Sequence, residues 1–203
     1  MTRPTQIQAP GSAPGASFEQ PFGMLEACHE RLHRTLALLQ RLREHLGTHG
    51  ADAQAQQAAV DVMRYFDQAA PPHHQDEELH VFPPLLAGGD PAVTRVVRQL
   101  QAEHVEMESQ WVHARALLAQ IAAGQLSVLQ PDESAAIDAF ANLYATHIVA
   151  EEQIAYPAAR AAMDAQALAA MGDDMKRRRD VKFASGGAAA KPPKPAAPAR
   201  SAE

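Results

Sequence analysis

Between residue 20 and about residue 165 the apolar side chains recur in steps of three and four, the spacing of one face of an α-helix. From Pro21 to about Leu46 the positions Phe22, Leu25, Leu32, Leu36, Leu39 and Leu46 share a stripe, and Gly47 and Gly50 end the run. A second run, Ala53 to about Leu86, turns Met63 and Phe66 inward. Pro71 and Pro72 interrupt it and predict a kink, because proline lacks an N–H and crowds the preceding turn. Gly88 to Pro91 breaks the chain; Asp90 suits a helix cap and Pro91 a first helical position. The third run reaches about Ala123, where Gly124 stops it, and the fourth spans Pro131 to about Met163. A shorter fifth helix, capped by Asp164, reaches about Arg179. Short connections make successive helices antiparallel neighbours. The expected fold is all-α: an up-down four-helix bundle with a short C-terminal helix and disordered termini. The expected divisions are a disordered arm at 1–19, the bundle at 20–165, the C-terminal helix at 166–181 and a disordered Ala/Pro/Lys-rich tail at 182–203.

Each apolar stripe carries polar residues where none belongs. The third helix reads Val97, Leu100, His104, Met107, Trp111, Ala114, Leu118, Ile121, with one imidazole among apolar neighbours. The fourth reads Ile137, Phe140, Tyr144, His147, Glu151, Ile154, Ala158. His29 lies between Leu25 and Leu32 on the first helix, and His73 and Glu77 follow Phe66 and Ala70 on the second. An unpaired buried carboxylate costs several kcal/mol. Two carboxylates and four imidazoles inside one bundle therefore call for a compensating charge, which a pair of divalent cations supplies.

The polar residues also form a repeat. Residues 73–83, HHQDEELHVFP, and residues 147–157, HIVAEEQIAYP, share the pattern His-x-x-x-Glu-Glu-x-x-x-aromatic-Pro at an offset of 74. His29 and His104 are 75 apart, so the chain reads as two related halves. A His and a Glu four apart share one helix face. Imidazole and carboxylate suit iron, manganese or zinc, and two carboxylates able to bridge favour a dinuclear iron site.

Composition narrows the class. The 203 residues are Ala-rich and aromatic-poor, as helical bundles are. A net charge of −6 leaves no general nucleic-acid footprint. No run of about 18 apolar residues predicts a membrane helix. The single cysteine, Cys28, forms no disulfide within the chain, and residues 1–20 do not read as a signal peptide; a cytoplasmic protein is expected. The protein partner is unknown at this level.

These residues resemble those of the bacterial hemerythrin-like (HHE cation-binding) domains. Those domains are four-helix bundles with one His on the first helix, His-x-x-x-Glu-Glu-x-x-x-Phe-Pro on the second, a His on the third and a second His-x-x-x-Glu on the fourth. The resemblance covers roughly residues 21–163. It implies that His29, His73, Glu77, His104, His147 and Glu151 ligate two non-haem iron ions (Fe2+/Fe3+), bridged by Glu77 and Glu151 and by an oxo or hydroxo group. It implies a small ligand such as O2 or NO, and a role in sensing, storage or stress defence. A di-iron enzyme (peroxide or NO reduction, iron-centre repair) and a metal-free helical interaction module are the alternatives. Glu108 stands where the oxygen carriers of the family place a second His, and Glu151 follows His147 by four residues where they place an Asp at five. The set is closer to the stress and repair proteins.

The remaining residues carry blander expectations. Superposing the halves selects His73 and Glu77 and turns His74 and Glu78 toward solvent. His33 and Glu108 are candidate extra ligands; His45, His49 and His113 are expected exposed, and His80 hydrogen-bonded. Trp111, Phe66, Phe140 and Tyr144 read as core, Tyr144 with a possible reach to the site. Cys28 reads as a small buried hydrophobe, and Phe82-Pro83 and Tyr156-Pro157 as packing at the bundle end. Lys176 to Arg179 reads as a solvated helix end, with a site for an anionic partner as the alternative.

Overall fold

The protein is described by a computed structural model covering residues 17–186. Residues 1–16 of the expected arm at 1–19, and residues 187–203 of the expected tail at 182–203, lie outside these residues. Helix α1 runs Pro21–His49. Helix α2 is a composite rod: Ala53–Gln68, Ala70–Asp76, a π-helical turn Glu77–Val81, and Phe82–Gly88. Helix α3 runs Pro91–Ala122. Helix α4 comprises Pro131–Ala150, a π-helical turn Glu151–Ala155, and Tyr156–Ala162. Helix α5 runs Ala165–Gly186. α2 packs on α1 and α3, and α3 packs on α4. No helix among the described residues is long and apolar enough to cross a membrane.

The caps explain the boundaries. Asp52 accepts from the N–H groups of Gln54 and Ala55 at 3.0 and 2.9 Å, and Asp90 from that of Ala92 at 2.8 Å. α1 passes through Gly47 and ends at Gly50, whose φ is 68°. α3 ends at Gly124, φ 69°, where the Gln125 N–H reaches back to the Gln120 carbonyl at 2.8 Å; only glycine takes that left-handed angle freely. The expected kink falls at Ala69, and the chain restarts as a helix with Pro71 and Pro72 in its first turn.

The π-helical turns follow from two further prolines. Pro83 has no N–H for the carbonyl four residues back, and its ring crowds that carbonyl. The turn widens, and the Phe82 N–H bonds the Glu77 carbonyl five residues back. Pro157 does the same to α4, where the Tyr156 N–H bonds the Glu151 carbonyl. The extra residue shifts the buried stripe by one. Beyond Glu151 the buried positions are Ala155, Tyr156 and Ala159, not the expected Ile154 and Ala158; Ile154 is 40% exposed.

Two apolar layers result. One contains Leu32, Leu39, Phe66, Met107, Leu118, Phe140 and Tyr144, and the other Phe22, Leu25, Val81, Phe82, Leu100, Tyr156, Met171 and Met175. Between them lies the polar stratum. α5 seals the second layer with its two methionines. It can approach because Gly172 has no side chain: a Cβ there would lie 2.0 Å from the Phe18 carbonyl oxygen.

α5 also corrects the reading of Lys176 to Arg179 as a solvated end. Arg178 and Arg179 turn inward onto Asp76, which is 0% exposed; the Arg179–Asp76 contact is 2.6 Å. Arg178 also holds Asp174 at 2.7 Å. Breaking a buried charge pair from one side leaves the remaining charges uncompensated. Asp76→Ala is therefore expected to lower the unfolding free energy by about 3 kcal/mol, read from urea denaturation; a change within experimental error would show that the clamp contributes nothing.

Candidate metal centre

Four helices each deliver one imidazole to the stratum between the layers. His29 from α1, His73 from α2, His104 from α3 and His147 from α4 are at most 4% exposed. Glu77 and Glu151, from the π-helical turns, are both 0% exposed. The structure thus brings all six sequence-predicted residues to one level.

The geometry is two-centred. Ligand atoms of His29, His73, Glu77 and Glu151 lie within 4.8 Å of one another, and so do those of His104, His147 and Glu151. The Nε2 atoms of His29 and His147 approach Oε2 and Oε1 of Glu151 at 3.1 and 2.9 Å. Glu77 spans the same gap, with Oε1 at 3.5 Å from His73 Nε2 and Oε2 at 3.5 Å from His104 Nε2. The His104 and His147 Nε2 atoms face each other at 3.2 Å. Yet Glu77 Oε2 and both Glu151 oxygens have no hydrogen-bond partner beyond these imidazole nitrogens. Buried carboxylate oxygens without donors are costly, and cations among them would repay that cost.

The outer nitrogens show how the rings are aimed. His29 Nδ1 meets Glu152 at 2.8 Å, His104 Nδ1 meets Glu78 at 3.0 Å, and His147 Nδ1 meets Glu103 at 2.8 Å. An Nδ1–H donated outward leaves an Nε2 lone pair facing the centre, the arrangement a metal-ligating imidazole needs. The second Glu of each motif therefore reaches across to the imidazole of the other half: Glu78 to His104, Glu152 to His29. His73 Nδ1 is the exception and has no partner.

Charge is unevenly shared among these groups. Burial opposes protonation of His29 and His147, but Glu151, with Glu152 or Glu103, outweighs it and raises both imidazoles above their ordinary range. Burial, with the neighbouring Glu151 charge, pushes Glu77 well up. Glu151 is driven up by burial but pulled well down by His104, His147 and His29. Burial, then the neighbouring imidazoles, keeps His73 and His74 neutral, His74 down to about 3.

Several expectations are corrected. His74 is buried, not solvent-facing, and stacks on His104 with ring centroids 4.1 Å apart. Glu78 is half-buried on His104 and on the Gln101 amide at 2.7 Å. Tyr156 does not merely pack the bundle end: its hydroxyl donates to Glu77 Oε1 and lies 3.2 Å from His29 Nε2. Phe82, its counterpart, does pack, in the second layer with its ring 5.7 Å from that of His104. The repeated aromatic-Pro pair carried this signal, but only the widened turn aims the phenol inward. His33 and Glu108 are exposed and outside both groups; His49 and His113 are exposed as expected, whereas His45 is half-buried on Asp52 at 3.0 Å. His80 bonds Asp174 at 2.9 Å, Cys28 is buried, and Tyr144 sits with Phe66 and Phe140 in the first layer.

Comparison with known proteins agrees with this architecture. An uncharacterized protein of Haemophilus influenzae is 30% identical over 167 residues, covering 82% of this chain and 94% of the relative. The model of the hemerythrin HHE cation-binding domain matches residues 20–159, a span that includes all six residues. The chain belongs to the hemerythrin HHE cation-binding domain family.

Proposed function

We propose that the protein holds two non-haem iron ions in the stratum between its apolar layers and presents them to a small ligand such as O2 or NO. On this reading His29 and His73 serve one ion and His104 and His147 the other, while Glu77 and Glu151 bridge them. The observation that supports it most directly is the pair of fully buried carboxylates, three of whose oxygens have no neighbouring polar group but imidazole Nε2 atoms. The mixed imidazole and carboxylate set suits iron.

Bound iron would supply reversible electron transfer and an open coordination position for a diatomic molecule. The chain's own residues do the rest. Glu152, Glu78 and Glu103 fix three ring orientations. The Leu, Met, Val and Phe side chains of the two layers exclude water. The Tyr156 hydroxyl holds a proton against Glu77 Oε1. The role that follows is sensing, storing or detoxifying the ligand in a cytoplasmic setting. Turnover with peroxide or NO would make it an enzyme.

Metal analysis with a visible spectrum tests the reading. About two irons per chain with bridged ferric absorption is expected. Glu77→Ala or Glu151→Ala should lower iron content and destabilise the bundle, and His49→Ala should do neither; equal effects from all three would refute the ligand set. Acidity adds a second check. Ligands bind metal deprotonated, and the raised positions of Glu77, His29 and His147 mean the metal-free site holds protons that Fe2+ must displace. Fe2+ uptake should therefore release protons, and apparent affinity should rise with pH. Calorimetric titration in buffers of different ionisation enthalpy measures this; proton uptake would contradict it.

A further inference from the structure

The two halves of the bundle superpose at an offset of 74 or 75 residues, matching His29 to His104, His73 to His147, Glu77 to Glu151 and Glu78 to Glu152. Three positions against the site break the match: Cys28 stands for Glu103, Tyr156 for Phe82, and His74 for Ile148.

Each carboxylate sets one oxygen beside an imidazole of either position. Ligand atoms of four residues cluster at the His29/His73 position and of three at the His104/His147 position, where Glu77 is not part of the group. The surroundings of those donors run the other way. At the His104/His147 position both outer nitrogens are tied to carboxylates, Glu78 at 3.0 Å and Glu103 at 2.8 Å, and His74 lies flat on the His104 ring. At the His29/His73 position only His29 has such a partner, Glu152. Where the repeat would supply a second carboxylate it supplies Cys28, whose sulfur accepts from the Arg31 guanidinium at 3.0 Å. His73 Nδ1 is left buried and unpartnered. Tyr156 adds a difference of the same sign. Its hydroxyl donates to Glu77 Oε1, the oxygen nearer His73, and draws charge from it. Phe82 has no hydroxyl with which to do this to Glu151.

A carboxylate on the outer N–H fixes an imidazole and makes its inner nitrogen a stronger donor; losing such a partner lowers metal affinity roughly 10- to 100-fold. We propose that the two metal positions are unequal: the His104/His147 position holds its ion tightly, and the His29/His73 position is the weak, exchangeable one. Glu103 and Tyr156 are the positioning residues that set the difference. This rests on the two-metal reading above.

The test uses the full chain loaded anaerobically with Fe2+, exposed to graded concentrations of a ferrous chelator, with retained iron measured by elemental analysis. Two steps are expected, one equivalent leaving at a chelator concentration at least about 10-fold below the other. Glu103→Gln should pull the later step down toward the earlier, by roughly 10- to 100-fold. Tyr156→Phe should move the earlier step up. Loss of both equivalents in one step by the unaltered protein would overturn the inequality and leave the two-metal reading standing. A Tyr156→Phe protein that loses its first equivalent sooner would mark the phenol as a ligand and overturn the assignment of the weak position. Retention of no iron at all would defeat the two-metal reading and this inference with it.

Discussion

The architecture depends on one unfavourable placement: two carboxylates with no exposure, set between two hydrocarbon layers with only imidazole nitrogens beside three of their four oxygens. Such groups are far costlier to bury than any apolar residue of similar size. Everything near them reduces that cost. The four imidazoles turn Nε2 inward, outer carboxylates hold three of them there, and the widened turns bring both glutamates to the same level.

The outer ring matters because neutral imidazole has two tautomers and only one leaves the inner nitrogen free. Glu152, Glu78 and Glu103 select it by accepting Nδ1–H, and they do so from partly exposed positions. The Glu-Glu doublets thus divide labour. The first glutamate of each faces the centre, and the second aims a ring on a facing helix.

Where the helical period is unbroken, the sequence discloses the packing. Along α3, Val97, Leu100, His104, Met107, Ala114, Leu118 and Ile121 are all buried, and only Trp111 sits at the edge. The six central residues are legible for the same reason: polar residues on an apolar stripe stand out. What escapes the sequence is whatever changes the period or crosses between helices. The prolines at 83 and 157 advance the buried face by one residue, which exposes Ile154 and turns Tyr156 inward. Asp76 looks like an ordinary surface carboxylate in sequence, because its partners, Arg178 and Arg179, lie about a hundred residues away on a helix with a weak pattern of its own. Glu103 gives no local sign that it serves His147 across the bundle.

The adjacency of Asp76 and Glu77 ties the last described helix to the heart of the molecule. A single peptide bond separates the residue gripped by Arg178 and Arg179 from a carboxylate of the central stratum. Unwinding of α5 through Met171 removes Met171 and Met175 from the second layer and frees that junction at once. α5 and the polar centre are therefore expected to open as one cooperative unit, so that slow amide exchange in the one reports the integrity of the other.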